Sequence, residues 1–169
     1  PLGVSCLVFA LLLFAANAGA TETTMSENWC LLEEEGRPVG LSFDRYLKTE
    51  DGFLYTSNIA LQMTILGGPP QEMKIYAELS MDDDYAARSY RIISELGGEQ
   101  SQISGVFVGH LVKVTVIAPD GDEYTSRFLE EDPAPLYFKD SFLQYIVDTK
   151  GLKVGEKHTA RAWDYGSNA

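Results

Sequence analysis

The chain has 169 residues, of which 45% are hydrophobic and 22% are charged, and its formal net charge is -12. A surface this acidic repels phosphate backbones and anionic lipid, which argues against binding to nucleic acid and against electrostatic attachment to a membrane. The length favours a single domain with its own core.

The first predicted element is a secretory signal. An uninterrupted apolar run at residues 7–16 is followed by Asn17-Ala18-Gly19-Ala20, small residues typical of a cleavage site. The run is shorter than the ~20 apolar residues that span a bilayer. We therefore expect an N-terminally incomplete signal peptide at residues 1–20, a short linker at 21–26, and a single antiparallel β domain at 27–169, truncated at its C-terminus. The protein would be exported to the periplasm or the extracellular space, with no stable membrane span after signal cleavage.

The two cysteines suggest no chemistry. Cys6 precedes the apolar run, whereas the lipidated cysteine of a lipoprotein follows it, so a lipoprotein is the less favoured alternative. Cys30 is then the only cysteine of the mature chain, which leaves no intramolecular disulfide. Its apolar neighbours predict a small buried side chain, because a catalytic thiolate needs a histidine held nearby and neither His110 nor His158 lies in such a context. We expect this stretch to be non-catalytic, with no cofactor and no metal.

The clearest structural signal is a period of two in residues 53–65. The even positions include Thr56 and Asn58, whereas the odd positions are largely apolar, which predicts a strand with one wet side. The same alternation returns at residues 73–81. Because the turn residues Gly67-Gly68-Pro69-Pro70 lie between the two runs, we predict a hairpin.

Further strands are predicted on both sides of this hairpin. Those upstream are residues 29–34 and 39–43, separated by Glu35-Gly36-Arg37-Pro38, and Glu50-Asp51-Gly52 leads into the hairpin. Those downstream are residues 90–94, 103–108, 111–118 and 123–129, with turn residues at Gly97-Gly98 and Pro119-Asp120-Gly121-Asp122. Turn signals at this spacing are typical of an antiparallel meander.

One segment breaks this rhythm. Its apolar residues recur at helical spacing, which predicts a helix from about Tyr137 to Thr149 that ends at Gly151. A last strand is predicted from His158 to Trp163.

Together these elements predict a mainly β fold: a strongly curved antiparallel meander, or half-barrel, with one helix packed on it. The architecture is similar to that of periplasmic lipoprotein carriers. The concave side would be an apolar groove for an apolar ligand or a partner segment, or alternatively a filled core. The candidate groove residues are Phe53, Tyr55, Ile59, Leu61, Met63, Phe138, Phe142 and Ile146.

The acidic clusters are interpreted as solvated loops and strand residues. Asp82-Asp83-Asp84 lacks the spacing of the oxygen ligands in a calcium loop, and Asp120-Gly121-Asp122-Glu123 is typical of a hairpin turn. Consecutive residues of Glu33-Glu34-Glu35 point to opposite sides of a strand, so they cannot converge on one substrate atom.

Several short motifs resemble the N-terminal β domain of bacterial exported transglutaminase-like (papain-like) proteins. They are Trp29, Gly36-Arg37-Pro38-Val39-Gly40, Asp51-Gly52 before a long strand, and Lys150-Gly151-Leu152-Lys153-Val154-Gly155-Glu156. The resemblance spans residues 27–164. It implies an accessory module that precedes a Cys-His-Asp catalytic domain, a domain absent from this chain.

Two functions are therefore expected. The first is a non-catalytic extracytoplasmic module accessory to a downstream transglutaminase-like domain, which would be its partner in cis. The alternative is a stand-alone periplasmic carrier or binding protein for an apolar ligand.

Overall fold

The computed structural model describes residues 2–5, 22–64, 68–109, 111–129, 135–138, 141, 145–151, 155 and 157–163. Nine strands form one antiparallel sheet, and each strand pairs with its neighbours in sequence. The strands are β1 (Leu2–Ser5), β2 (Thr23–Glu34), β3 (Arg37–Thr49), β4 (Gly52–Thr64), β5 (Pro70–Met81), β6 (Ala87–Leu96), β7 (Glu99–Val108), β8 (Leu111–Ile117) and β9 (Glu123–Leu129). The predicted mainly β meander is thus confirmed.

The predicted central hairpin corresponds to β4 and β5. Phe53 lies opposite Met81 and Thr64 lies opposite Pro70, so the pairing runs the full length of both strands without a shift. The period-two pattern set this register, because a slip by one residue would turn every apolar side chain to the wet side. The described sheet is not closed at its edges, so the half-barrel curvature is not confirmed.

Two glycines fix the geometry between β2, β3 and β4. In the β2–β3 turn, Glu35 and Gly36 have φ values of 52° and 76°, as in the type I′ turns that match the twist of paired strands. Within β3, a Cβ atom on Gly40 would lie 2.3 Å from the backbone carbonyl oxygen of Ala60 on β4. Both motif glycines are therefore required by backbone geometry.

The core lies on one side of the sheet, which we call the core face; it carries Tyr46, Phe53, Leu79, Tyr90 and Val112. A two-stranded parallel sheet of β10 (Leu136–Phe138) and β11 (Arg161–Trp163) packs against this face. Its residues Phe138 and Trp163 are both buried and both contact the ring of Phe107 edge-on. Edge-to-face aromatic packing of this kind holds the small sheet on the large one.

The predicted helix is wrong at its start. Residues 136–138 are a strand rather than the start of a helix, because they pair in parallel with β11 and place Phe138 in the core. Among the described residues of this segment, Ser141, Tyr145 and a π-helical turn at Ile146–Lys150 are helical, and Gly151 follows with φ 68°. Phe138 and Ile146 are both buried, which accounts for the apolar spacing that suggested one helix. The last strand begins at Arg161 rather than at His158.

The N-terminal segment contributes strand residues. Leu2–Ser5, within the predicted signal peptide, pairs as β1 with residues 31–34 of β2. Residues 23–26, predicted as part of a linker, belong to β2. The predicted apolar run and cleavage site lie outside the described residues. No helix in the described part of the chain is long and apolar enough to cross a membrane.

Candidate functional site: an aromatic groove on the open face

The structure buries some residues of the predicted groove in the core and leaves others half-buried. Phe53, Phe138 and Ile146 are buried, with 7%, 0% and 3% of their surface exposed, so they fill the core. Tyr55 packs against that core. The alternation along β4 places Ile59, Leu61 and Met63 further along the same face, where they are half-buried. Phe142 lies outside the described residues.

The acidic clusters have structural roles. The Asp82 carboxylate accepts hydrogen bonds from the backbone N–H groups of Asp84 and Ala86, which shapes the loop between β5 and β6. Asp83 forms an ion pair with Lys48. The Asp120 carboxylate accepts the N–H of Asp122 in the predicted hairpin turn. Among the described residues, no group of three or more His, Cys, Asp or Glu side chains is arranged to hold a metal ion.

A groove lies on the opposite side of the sheet, which we call the open face. Two rows of directly paired residues cross strands β2 to β6 on this side. The first row is Trp29, Phe43, Asn58, Tyr76 and Ile93. The second row lies two residues away on each strand and includes Leu41, Ala60, Lys74 and Glu95. We call the space lined by these two rows the open-face groove.

The size of the open-face groove suits a small ligand. Its volume is about 510 Å³. Ser42, Ile59 and Ile75, whose positions fall between the two rows, also line it. It crosses five strands, and at a strand spacing of about 4.8 Å this corresponds to a length of roughly 19 Å. Ligand pockets in proteins generally enclose about 300 to 1,000 Å³. The groove therefore has the volume and the elongated shape of a binding site.

Apolar side chains on the open-face groove are held in place although they face solvent. Trp29 is 53% exposed and Leu41 is 51% exposed. The Trp29 ring stacks on Phe43 with centroids 4.4 Å apart, and the Arg45 guanidinium lies 5.3 Å from the centroid of Phe43. Exposed apolar patches on a soluble protein commonly mark a binding surface. Trp29, Phe43 and Tyr76 are the aromatic residues of the groove, and we call them the aromatic wall. The stacked part of this wall is thus preorganised for an apolar ligand.

The cationic side chains around the open-face groove are paired with carboxylates. Lys74 lies 3.0 Å from Glu72 and 3.9 Å from Glu95. The hydrogen bond from Lys74 to Glu72, together with the charge of that carboxylate, raises the pKa of Lys74, so the ammonium group persists at neutral pH. Across the groove, Arg91 pairs with Glu78 at 3.2 Å.

Arg45 is also paired, with Glu27 at 2.8 Å. The cations beside the open-face groove therefore offer no uncompensated charge to an anionic ligand. The groove instead favours an uncharged ligand, since transfer of a charge from water to an apolar site is costly.

Sequence reasoning missed the open-face groove because β4, the strand used to assign the wet side, contributes Asn58 and Ala60 to it. The aromatic residues come from β2, β3 and β5. Trp29, Phe43 and Tyr76 are far apart in sequence, and only the strand register brings them into one row. A search for apolar residues on the wet side of each predicted strand would have detected them.

Cys30 lies opposite Ser42 on β3 and is half-buried, whereas a small buried side chain was predicted.

No protein-family model, curated protein or solved structure matches the chain.

Proposed function

We propose that the chain is a non-catalytic extracytoplasmic β module that binds the acyl chain of an uncharged lipid in the open-face groove. The observation that carries this proposal is the groove of about 510 Å³ lined by Trp29, Leu41, Phe43 and Tyr76. It refines the expected carrier of an apolar ligand by locating the site on the open face of the sheet.

The shape of the groove favours an extended ligand. Its two rows run across the strands for roughly 19 Å, and the small residue Ala60 lies between Leu41 and Lys74 in the second row. A flexible hydrocarbon chain can lie along such a channel and cover Trp29 and Leu41. Each buried methylene group contributes about 0.8 kcal/mol, so a chain of several methylenes gains enough to offset the loss of motional freedom on binding.

Charge selects the type of lipid. The formal net charge of the chain is -12, and Lys74, Arg45 and Arg91 beside the open-face groove are all paired with glutamates. An anionic headgroup would meet a repulsive field, and each of these three cations already has a carboxylate partner. An uncharged headgroup avoids this cost.

The experiment is lipid analysis of the exported protein. The chain is expressed behind a complete secretion signal, purified from the exported fraction, and examined by native mass spectrometry followed by solvent extraction. We expect a bound uncharged lipid, which the double variant Trp29→Ala/Phe43→Ala loses. Tyr124→Ala is the matched control, because Tyr124 is an aromatic residue 59% exposed on β9, outside the groove.

An exported wild-type protein that carries no lipid and takes up none from uncharged vesicles contradicts the proposal. Retention of lipid by the double variant, at the level of Tyr124→Ala, contradicts the assignment to the open-face groove.

A second proposed function rests on the turn motifs. The stretches Gly36-Arg37-Pro38-Val39-Gly40 and Lys150-Gly151-Leu152-Lys153-Val154-Gly155-Glu156 resemble motifs of the transglutaminase-like family's N-terminal domain. On this reading the module positions a catalytic domain encoded downstream of Ala169. Determination of the coding sequence beyond Ala169 tests it, and the absence of a Cys-His-Asp domain there would refute it without affecting the lipid proposal.

A further inference from the structure

A second cavity, on the core face, has a different chemistry from the open-face groove. Its volume is about 160 Å³, and we call it the polar cavity. It is lined by Asn28, Asp44, Tyr46, Tyr55, Leu79 and Met81, with Ser26 at its rim. Arg45 also borders the cavity, but its side chain lies on the open face, where it pairs with Glu27. A cavity of about 150 Å³ accommodates a molecule the size of benzene, so this one has room for about six non-hydrogen atoms.

The base of the polar cavity is apolar. Leu79 and Met81 are only 2% and 1% exposed, and they lie on β5 directly opposite Tyr55 and Phe53. Tyr46 and Tyr55, which are paired across β3 and β4, add two aromatic rings beside this base. These four side chains together suit a short alkyl group, and aromatic rings also attract a cation placed against their faces.

A single carboxylate lies at the polar end of this cavity. Asp44 accepts a hydrogen bond from the Tyr55 hydroxyl at 3.0 Å, and Asn28 lies directly opposite Asp44 on β2. Within the described part of the chain, no Lys or Arg side chain forms an ion pair with Asp44. Asp44 is half-buried, and a carboxylate withdrawn from water is stabilised by a cationic partner.

We propose that the polar cavity binds a small organic ammonium ion. Its alkyl group contacts Leu79 and Met81, and its ammonium group donates hydrogen bonds to the Asp44 carboxylate. The net charge of -12 raises the local concentration of cations around the chain, which favours this ligand over a neutral or anionic one of the same size. The site lies on the opposite side of the sheet from the open-face groove and is independent of the lipid proposal.

The test compares three probes of equal length by NMR titration of the full chain. We expect n-butylammonium to shift the backbone amide signals of Asn28, Asp44 and Tyr55 in a saturable manner, and n-butanol and n-butyrate to shift them at least about tenfold less at the same concentration. Equal shifts with butylammonium and butanol, or no saturable shifts, would overturn the proposal and leave a water-filled cavity.

Two variants and a control assign the binding to Asp44. Asp44→Asn keeps the size of the side chain and an acceptor for the Tyr55 hydroxyl, and should weaken butylammonium binding about tenfold or more. Asp51→Asn removes the same charge from an exposed turn and should leave binding unchanged. If Asp44→Asn fails to fold, Ser26→Lys places an ammonium group at the exposed rim of the cavity and should compete with the probe. Wild-type affinity in a folded Asp44→Asn or Ser26→Lys variant would refute the assignment.

Discussion

Trp29 and Phe43 lie directly opposite each other on β2 and β3, and their rings stack with centroids 4.4 Å apart. Cross-strand aromatic pairs of this kind stabilise a sheet by roughly 0.2 to 1 kcal/mol. More than half of the Trp29 surface nevertheless remains exposed, which means that the sheet holds a large apolar ring in a fixed position facing solvent. This pair forms one end of the aromatic wall of the open-face groove.

Removal of a side chain at the contact between the two sheets should lower the stability strongly. Phe138 is 0% exposed and packs edge-on against Tyr90 and Phe107. Phe138→Ala should lower the free energy of unfolding by about 3 to 5 kcal/mol, because it removes these contacts and leaves a cavity. Urea denaturation measures the change. The exposed control Tyr124→Ala should change it by no more than about 0.5 kcal/mol. A loss below about 1 kcal/mol for Phe138→Ala would show that β10 does not pack in the core.

The buried tyrosines predict a loss of stability at alkaline pH. Burial raises the pKa of Tyr46, Tyr85 and Tyr90 above the usual value, and the charge of Asp148 adds to this for Tyr46 and Tyr85. In the unfolded chain these phenols ionise at about pH 10. Their contribution to stability is therefore intact below that pH and is lost as the pH rises above it. A phenol that is ionised in the unfolded chain and protonated in the folded one lowers the stability by up to about 1.4 kcal/mol per pH unit.

The measurement is urea denaturation from neutral pH to about pH 11. Tyr46→Phe, which removes one of these ionisations, should make the slope of stability against pH shallower. Tyr124→Phe, at an exposed site, should leave the slope unchanged. A stability that stays constant above about pH 10 would contradict the burial of these phenols.

Alanine substitutions of the two motif glycines, Gly36 and Gly40, should lower the stability by different amounts. Gly40→Ala would place a Cβ atom 2.3 Å from the Ala60 carbonyl oxygen, so β3 and β4 must separate locally. We expect a loss of at least about 2 kcal/mol. Gly36→Ala meets no atom within 4 Å and only strains a backbone with φ 76°, at a cost of about 1 to 2 kcal/mol. Thermal unfolding of both variants should rank Gly40→Ala as the less stable, and the reverse order would contradict the register of these strands.

The sequence was sufficient to predict the strands that alternate regularly. The ranges of β4 and β9 and the end of β5 follow from period two and flanking turn residues, since such patterns depend on local geometry. The start of β5 was not predicted, because Pro70, assigned to the turn, pairs with Thr64. The segment from Tyr137 was misassigned because its conformation depends on pairing with residues 161–163, which are distant in sequence. The open-face groove escaped prediction for the same reason, as cross-strand register brings Trp29, Phe43 and Tyr76 together.

The most direct test of the proposed function uses the emission of Trp29. The chain has two tryptophans, and Trp163 is buried in the core whereas Trp29 is 53% exposed on the open-face groove. In the variant Trp163→Phe, Trp29 is the only tryptophan, so its emission spectrum reports on the groove alone. If an uncharged alkyl chain binds there, decanol should shift this emission to shorter wavelength in a saturable manner, and the further change Phe43→Ala should weaken the effect. An emission spectrum that stays unchanged at saturating decanol, in a variant that folds, would contradict the account.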